Sequence, residues 1–196
     1  MAAIGGCLLI LVVAAVFAAI WAIWRYNNLV SLRNQVANGW RQIDVQLKRR
    51  HDLIPNLVQA VKGEMQFERD TLERVIQARN TAVAARGVAD AADKENALTQ
   101  TLSRLFALAE NYPNLKSNEQ VRALMEELSS TENRIGFARQ FYNDIATRFN
   151  TSQQVFPDNL IAQAFKFQPV ELFELREEAE RAVPKVELGL PPQPGA

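Results

Sequence analysis

His51 and Cys7 are the only histidine and the only cysteine in 196 residues, so the common catalytic metals have little to bind. Zinc sites draw most of their ligands from several such side chains. Di-iron bundles need a Glu-x-x-His pair on each of two helices. Neither pattern is present, and neither is a glycine-rich phosphate loop, a G-x-S-x-G elbow or an H-E-x-x-H helix. The triplet Arg50, His51, Asp52 lies in a helical stripe without the companion motifs that give such a triplet a role in phosphoryl transfer. The expectation is a protein that is not an enzyme, with no catalytic residue, no metal ligand and no cofactor.

Two groups of polar side chains lie close to apolar seams. The first is Lys48, Arg49, Arg50, His51, Asp52, Pro55 and Asn56, within the stretch "KRRHDLIPN". Pro55 removes a backbone donor and its ring presses on the carbonyl of His51, one turn upstream. The apolar register survives on both sides, which favours a bent continuous helix. The competing reading is a restart, with Lys48, Arg49 and Arg50 closing one helix and Asp52 capping the next. The second group is Glu132, Asn133, Arg139 and Asn143. Glu132 and Arg139 are expected to join a buried polar network that fixes helix register. Alternatively, these residues line a contact surface, with Lys48, Arg49 and Arg50 meeting acidic groups of a neighbour.

The elements that position these groups begin with an uncharged run. Residues 4–24 carry no charged side chain, and at about 1.5 Å per residue they reach roughly 31 Å, the thickness of a bilayer's hydrocarbon core. A cleaved signal peptide is the competing reading, but no Lys or Arg precedes the run. Trp21, Trp24 and Tyr26, with Arg25 among them, form an expected membrane interface. Cys7 precedes the apolar run, where a lipidated cysteine would follow it.

Formal charge is zero, with 22 basic and 22 acidic residues. Seven Lys or Arg nevertheless stand against Asp44 and Asp52 between residues 25 and 62, a collar facing the membrane and anionic lipid. Basic residues follow the span and none precedes it, which places the N-terminus outside and the body in the cytoplasm of a bacterial inner membrane. No nucleic acid partner is expected, because net basicity and base-reading motifs are both missing.

Beyond the span, Leu29, Leu32, Val36, Trp40, Ile43, Leu47, Ile54, Val58, Val61, Met65, Leu72, Val75 and Arg79 fall largely on three- and four-residue steps, with His51 and Glu68 where the stripe skips. They predict one rod from the membrane to about Gly87, with Gly87 as its C′ residue and Asp90 or Asp93 capping the next helix. That helix carries Leu98, Leu102, Leu105 and Leu108 or Ala109 and stops before Pro113. Ser117 and Gln120 read as a capping box. It opens a third soluble helix with the seam Val121, Leu124, Leu128, Thr131, Ile135, Ala138, Tyr142, Ile145 and Phe149. Gly136 and Ala138 are expected to admit a bulky neighbour such as Trp40. A short helix from about Asp158 and a clamp of Phe165, Phe167 and Phe173 close the body. The fold class is all-α: a transmembrane helix continuing into an antiparallel bundle of long helices. The division is an anchor over 1–25, a bundle over 26–175 and a flexible tail over 176–196.

The blocks "YNNLVSLRNQV", "DVQLKRRHDLIPNLVQAVKG", "LERVIQAR", "ENYPNLKS", "ENRIGFARQFYND" and "FPDNLIAQAF" together resemble the LemA family of bacterial membrane proteins, over about residues 26–167. The resemblance implies an N-terminal anchor, an antiparallel helical body and, in many members, a cytoplasmic location. It implies no reaction. Relatives among magnetosome membrane proteins suggest membrane organisation. The expected partners are the lipid bilayer and other copies of the chain in a homo-oligomer, since a rod longer than its partner helices leaves seam uncovered. The alternative is an adaptor presenting its bundle to a cytoplasmic protein partner.

Overall fold

The computed structural model describes residues 2–65 and 68–174; the expected tail lies outside them. Helix α1 (Ala2–Val61) starts in the apolar run and continues without interruption into the soluble body. No residue of its most apolar window is buried against the rest of the protein, and the helix is long and apolar enough to cross a membrane. Helices α2 (Arg69–Val83) and α3 (Val88–Ala109) form a hairpin, α4 (Pro113–Ser117) is one turn, α5 (Glu119–Gln154) returns along α1, and α6 (Asp158–Ala164) closes the body.

Helix α1 passes through Pro55, which settles the choice between bend and restart in favour of continuity. The rod, however, ends at Val61 and not near Gly87. Lys62, Gly63 and Glu64 form a turn, and Met65, fully buried, plugs the gap so that the apolar phase resumes at Leu72. A turn with a buried plug keeps the spacing of a continuous helix, which is why periodicity alone overran it. The turn is held from outside: Asn114 Nδ2 donates to Glu64 Oε2 at 3.1 Å.

Two expected caps shift. Gly87 is the N-cap of α3 with φ of 83°, and Asp90, on that helix's first turn, accepts from the Arg86 N–H at 2.8 Å. Asn118, not Ser117, caps α5, its Oδ1 accepting from Gln120 and Val121 N–H. Ser117 instead donates to the Asn114 carbonyl inside α4.

The α5 seam is buried at Val121, Leu128, Thr131, Ile135, Tyr142, Ile145 and Phe149, as its spacing predicts. It covers α1 along the whole soluble length. The uncovered seam expected of an over-long rod is therefore absent among the described residues, because the rod is shorter and its partner is 36 residues long. Close approach occurs at Gly39, where a Cβ would lie 3.4 Å from Tyr142 Cα, and not at Gly136, which faces open space. Trp40 packs edge-on to Tyr142 with ring centroids 5.9 Å apart and also meets Phe173.

The core forms two apolar clusters. A membrane-proximal one gathers Leu29, Val36, Ile43, Leu47, Ile135, Tyr142 and Phe149. A distal one gathers Ile54, Leu57, Met65, Leu98, Leu105, Val121 and Leu128. Three helices cross from one cluster to the other through polar residues: α1 at Arg50 and His51, α3 at Glu95, and α5 at Thr131 and Glu132.

Candidate functional site

Arg50 is 1% exposed and sits in that interlayer. Three successive basic residues read as a solvated collar, yet helical spacing turns Arg50 to the core side between Leu47 and Ile54 while Lys48 and Arg49 stay exposed. Its guanidinium pairs with Glu95 from α3 and Glu132 from α5. It also donates from Nη1 to Thr99 Oγ1 at 3.0 Å and from Nη2 to the Glu95 carbonyl at 3.3 Å. Only its Nε lacks an acceptor. His51 Nε2 lies 2.6 Å from Glu95 Oε1, so Glu95 is bridged by two side chains of α1. Burial pushes the Glu95 carboxyl up, but the His51 hydrogen bond and the Arg50 charge outweigh it and hold the group below its ordinary range.

The partners of this network differ from those expected. Glu132 belongs to it, but through Arg50 and Thr99; among the described residues Arg139 makes no ion pair with Glu132 or any other acid, and Asn133 is exposed. Arg49 pairs with Glu127 of the same chain at the bundle's surface, so two of the three basic residues, Arg49 and Arg50, have acidic partners within the chain. Lys48, Asp52 and Asp44 line a cleft of about 510 Å³ beside His51. Asn56 is exposed in a shallow groove against the start of α5.

The carbonyl freed by Pro55 has a partner. Arg79 of α2 donates from Nε to the His51 oxygen at 3.0 Å, replacing the i→i−4 bond that proline cannot make. Pro55 thus exposes one acceptor on α1 for a neighbouring helix.

Asn143, expected in the polar network, does something else. Its amide accepts from Phe173 N–H at 2.8 Å and donates to the Phe173 carbonyl at 3.1 Å. Asn150, one heptad on, grips Val170 in the same two-way manner. Seven helical residues rise about 10.5 Å and three extended ones span about 10 Å, so the pair matches an extended segment laid along α5. Tyr142 Oη donates to the Glu171 carbonyl between them at 2.7 Å. Of the phenylalanine clamp, Phe173 is buried, Phe167 is half-buried and Phe165 is 60% exposed.

At the membrane end, the Arg25 guanidinium lies 4.9 Å from the Trp24 ring and 5.9 Å from that of Trp21. It also meets Asp158 of α6 at 3.0 Å, a contact of charges without an aligned hydrogen bond. The Tyr26 ring packs against that of Phe165 at a tilt of 52°, 4.6 Å between centroids. On the flank of the α1–α5 pair, Val45, Phe137 and Phe141 are 62%, 73% and 46% exposed, flanking a groove with Arg41 and Arg134 at its edge.

The model of the LemA family matches residues 39–188. The chain belongs to the LemA family. It is similar to Protein LemA of Metamycoplasma hominis, 27% identical over 157 residues that cover 78% of this chain and 70% of that protein. It is also similar to Magnetosome protein MamQ 2 of Paramagnetospirillum magneticum, at 24% identity over 76% of this chain. Magnetosome protein MamQ of Magnetospirillum gryphiswaldense matches at 23% over the same share. The alignments span 65% and 64% of those two magnetosome proteins, just under two thirds of their length.

In this LemA-family chain the interlayer residues Arg50, His51, Glu95 and Glu132 all fall inside the matched range, as do Pro55 and Arg79. The Pro55 device has a measurable signature. Arg79→Met removes a charge-assisted bond to a buried carbonyl and is expected to cost roughly 1.5–3 kcal/mol. In a Pro55→Ala background the restored N–H satisfies that carbonyl, and the same change should cost about 1 kcal/mol less. Thermal unfolding of the four proteins of the cycle checks this; equal costs in both backgrounds would show that Arg79 does not serve the proline.

Proposed function

We propose that this chain is a non-enzymatic, membrane-anchored scaffold that self-associates and organises or curves the bacterial inner membrane, with its N-terminus outside and its body cytoplasmic. The observation that carries the reading is the uncovered apolar ridge of Val45, Phe137 and Phe141. Val45 lies 20 residues beyond Arg25, about 30 Å above the interface, where lipid does not reach. Copies rooted by the same helix stand at the same height, so ridge meets ridge in the plane of the membrane. Similarity to proteins named for the magnetosome supports the membrane-organising theme. The basic collar after the span supports the orientation.

Cross-linking through lysine in intact cells tests both parts. A membrane-permeant reagent should give a ladder of this chain extending beyond the dimer, and an impermeant reagent of the same reach should give none. Bands to a different protein alone would favour an adaptor, and a ladder with the impermeant reagent would reverse the topology.

A further inference from the structure

The end of the body nearest the bilayer carries an apolar surface that the fold does not use. Val155, Phe156, Leu160 and Phe165 are 53%, 74%, 55% and 60% exposed. They belong to the corner where α5 ends and α6 begins. Across residues 151–170 the sequence "TSQQVFPDNLIAQAFKFQPV" holds only two charged side chains, Asp158 and Lys166, in a chain that is 22% charged. Asp158 is neutralised by Arg25 and nearly buried.

The height of this corner follows from three independent contacts. Helices α1 and α5 run antiparallel with Gly39 against Tyr142. Twelve residues from that contact along each helix, at equal rise, Gln154 stands level with Asn27, so Val155 and Phe156 reach the level of Tyr26 and Arg25. The Arg25–Asp158 ion pair fixes the start of α6 at that same level. The Tyr26 ring, packed against Phe165, fixes its end. The uncharged span stops at Trp24, and aromatic side chains with Arg25 mark the headgroup boundary. Exposed apolar side chains beside that boundary continue the lipid-facing surface of α1 sideways.

We propose that the α5–α6 corner is a second lipid-contacting element, which lays Val155, Phe156, Leu160 and Phe165 into the headgroup and acyl boundary beside the transmembrane helix. Its ligand is the bilayer itself. Short apolar faces of this kind bury about 5–10 Å into the interface. Lys166, exposed on the same corner, points to a preference for anionic headgroups. A helix with such a foot occupies more area in one leaflet than in the other and is held against rotation about its axis. The inference rests on α1 crossing the bilayer and is independent of self-association.

Nitroxide side chains on the full-length protein, in a Cys7→Ser background and reconstituted into phosphatidylethanolamine–phosphatidylglycerol vesicles, read the depth directly. Phe156→Cys is the probe, Phe17→Cys in the span is the lipid reference, and Ser129→Cys, exposed on α5, is the aqueous reference. All three replace exposed side chains, so the fold is spared. Relaxation by oxygen, which partitions into lipid, is compared with relaxation by a water-soluble nickel chelate. The oxygen-to-nickel ratio at position 156 should exceed that at 129 several-fold and approach that at 17. A ratio equal to that at 129 would overturn the proposal, and low accessibility to both reagents would overturn it in favour of cover by another copy. An aqueous ratio at position 17 would remove the anchor and the foot together, whereas cross-linking between copies would stand or fall separately.

Discussion

Replacing Arg50 by alanine should cost about 3–5 kcal/mol of stability, because it leaves Glu95 inside the bundle with only its His51 contact and takes the ion-pair partner from Glu132. The guanidinium connects three helices at one level: α1 supplies it, α3 supplies Glu95 and α5 supplies Glu132. A second substitution distinguishes the pair's net worth from the penalty of orphaning its partner. Arg50→Met together with Glu95→Leu removes both charges and is expected to recover at least half of the loss, since buried pairs roughly break even against packed apolar side chains. The effect should also depend on pH. Glu95 titrates below its usual value in the folded chain, so its contribution is present above the ordinary carboxylate range and is lost as pH falls through the folded value. The gap between wild type and Arg50→Ala should therefore narrow below about pH 4. Unfolding followed by circular dichroism in detergent measures both; a cost under about 1 kcal/mol at neutral pH would mean that the interlayer is not a buried pair.

Loading the exposed ridge with charge should disperse the assembly without unfolding the protein. Phe137→Asp with Phe141→Asp places two carboxylates where the self-association reading puts an apolar contact. Burying a phenylalanine is worth about 1.5–3 kcal/mol, so losing two per subunit and adding like-charge repulsion should shift the population to single chains. Both side chains are exposed in the single chain, and surface changes of this kind usually alter stability by less than about 0.5 kcal/mol. Dispersal with an unchanged unfolding midpoint is the expected pair of results; intact oligomers would place the contact elsewhere.

The helices were legible where one face is apolar and the other is not. The α5 seam, the continuity of α1 through Pro55 and the α6 start at Asp158 follow from spacing and proline chemistry. The turn after Val61 was hidden by Met65, whose burial keeps the apolar phase running through a break. Arg50 was hidden by its neighbours, since three basic residues in a row look alike until the stripe's angle is followed through Leu47 and Ile54. Arg79 was legible as a member of the stripe but its role was not, although the carbonyl that Pro55 leaves open needs a donor. Asn150 sits one heptad from Asn143, but nothing local announces that both hold an extended segment returning from 20 or 30 residues away. Phe165 reads from sequence as part of a clamp on the bundle's end; that it stays exposed beside Tyr26, on a helix tied to Arg25 through Asp158, follows only from contacts far apart in the chain.

The mass of the full-length protein extracted in mild detergent, by light scattering with single-particle imaging, tests self-association most directly. A closed assembly of many 22.0 kDa chains, with the anchors gathered on one surface, is the predicted result. A single chain in its detergent belt would contradict the scaffold.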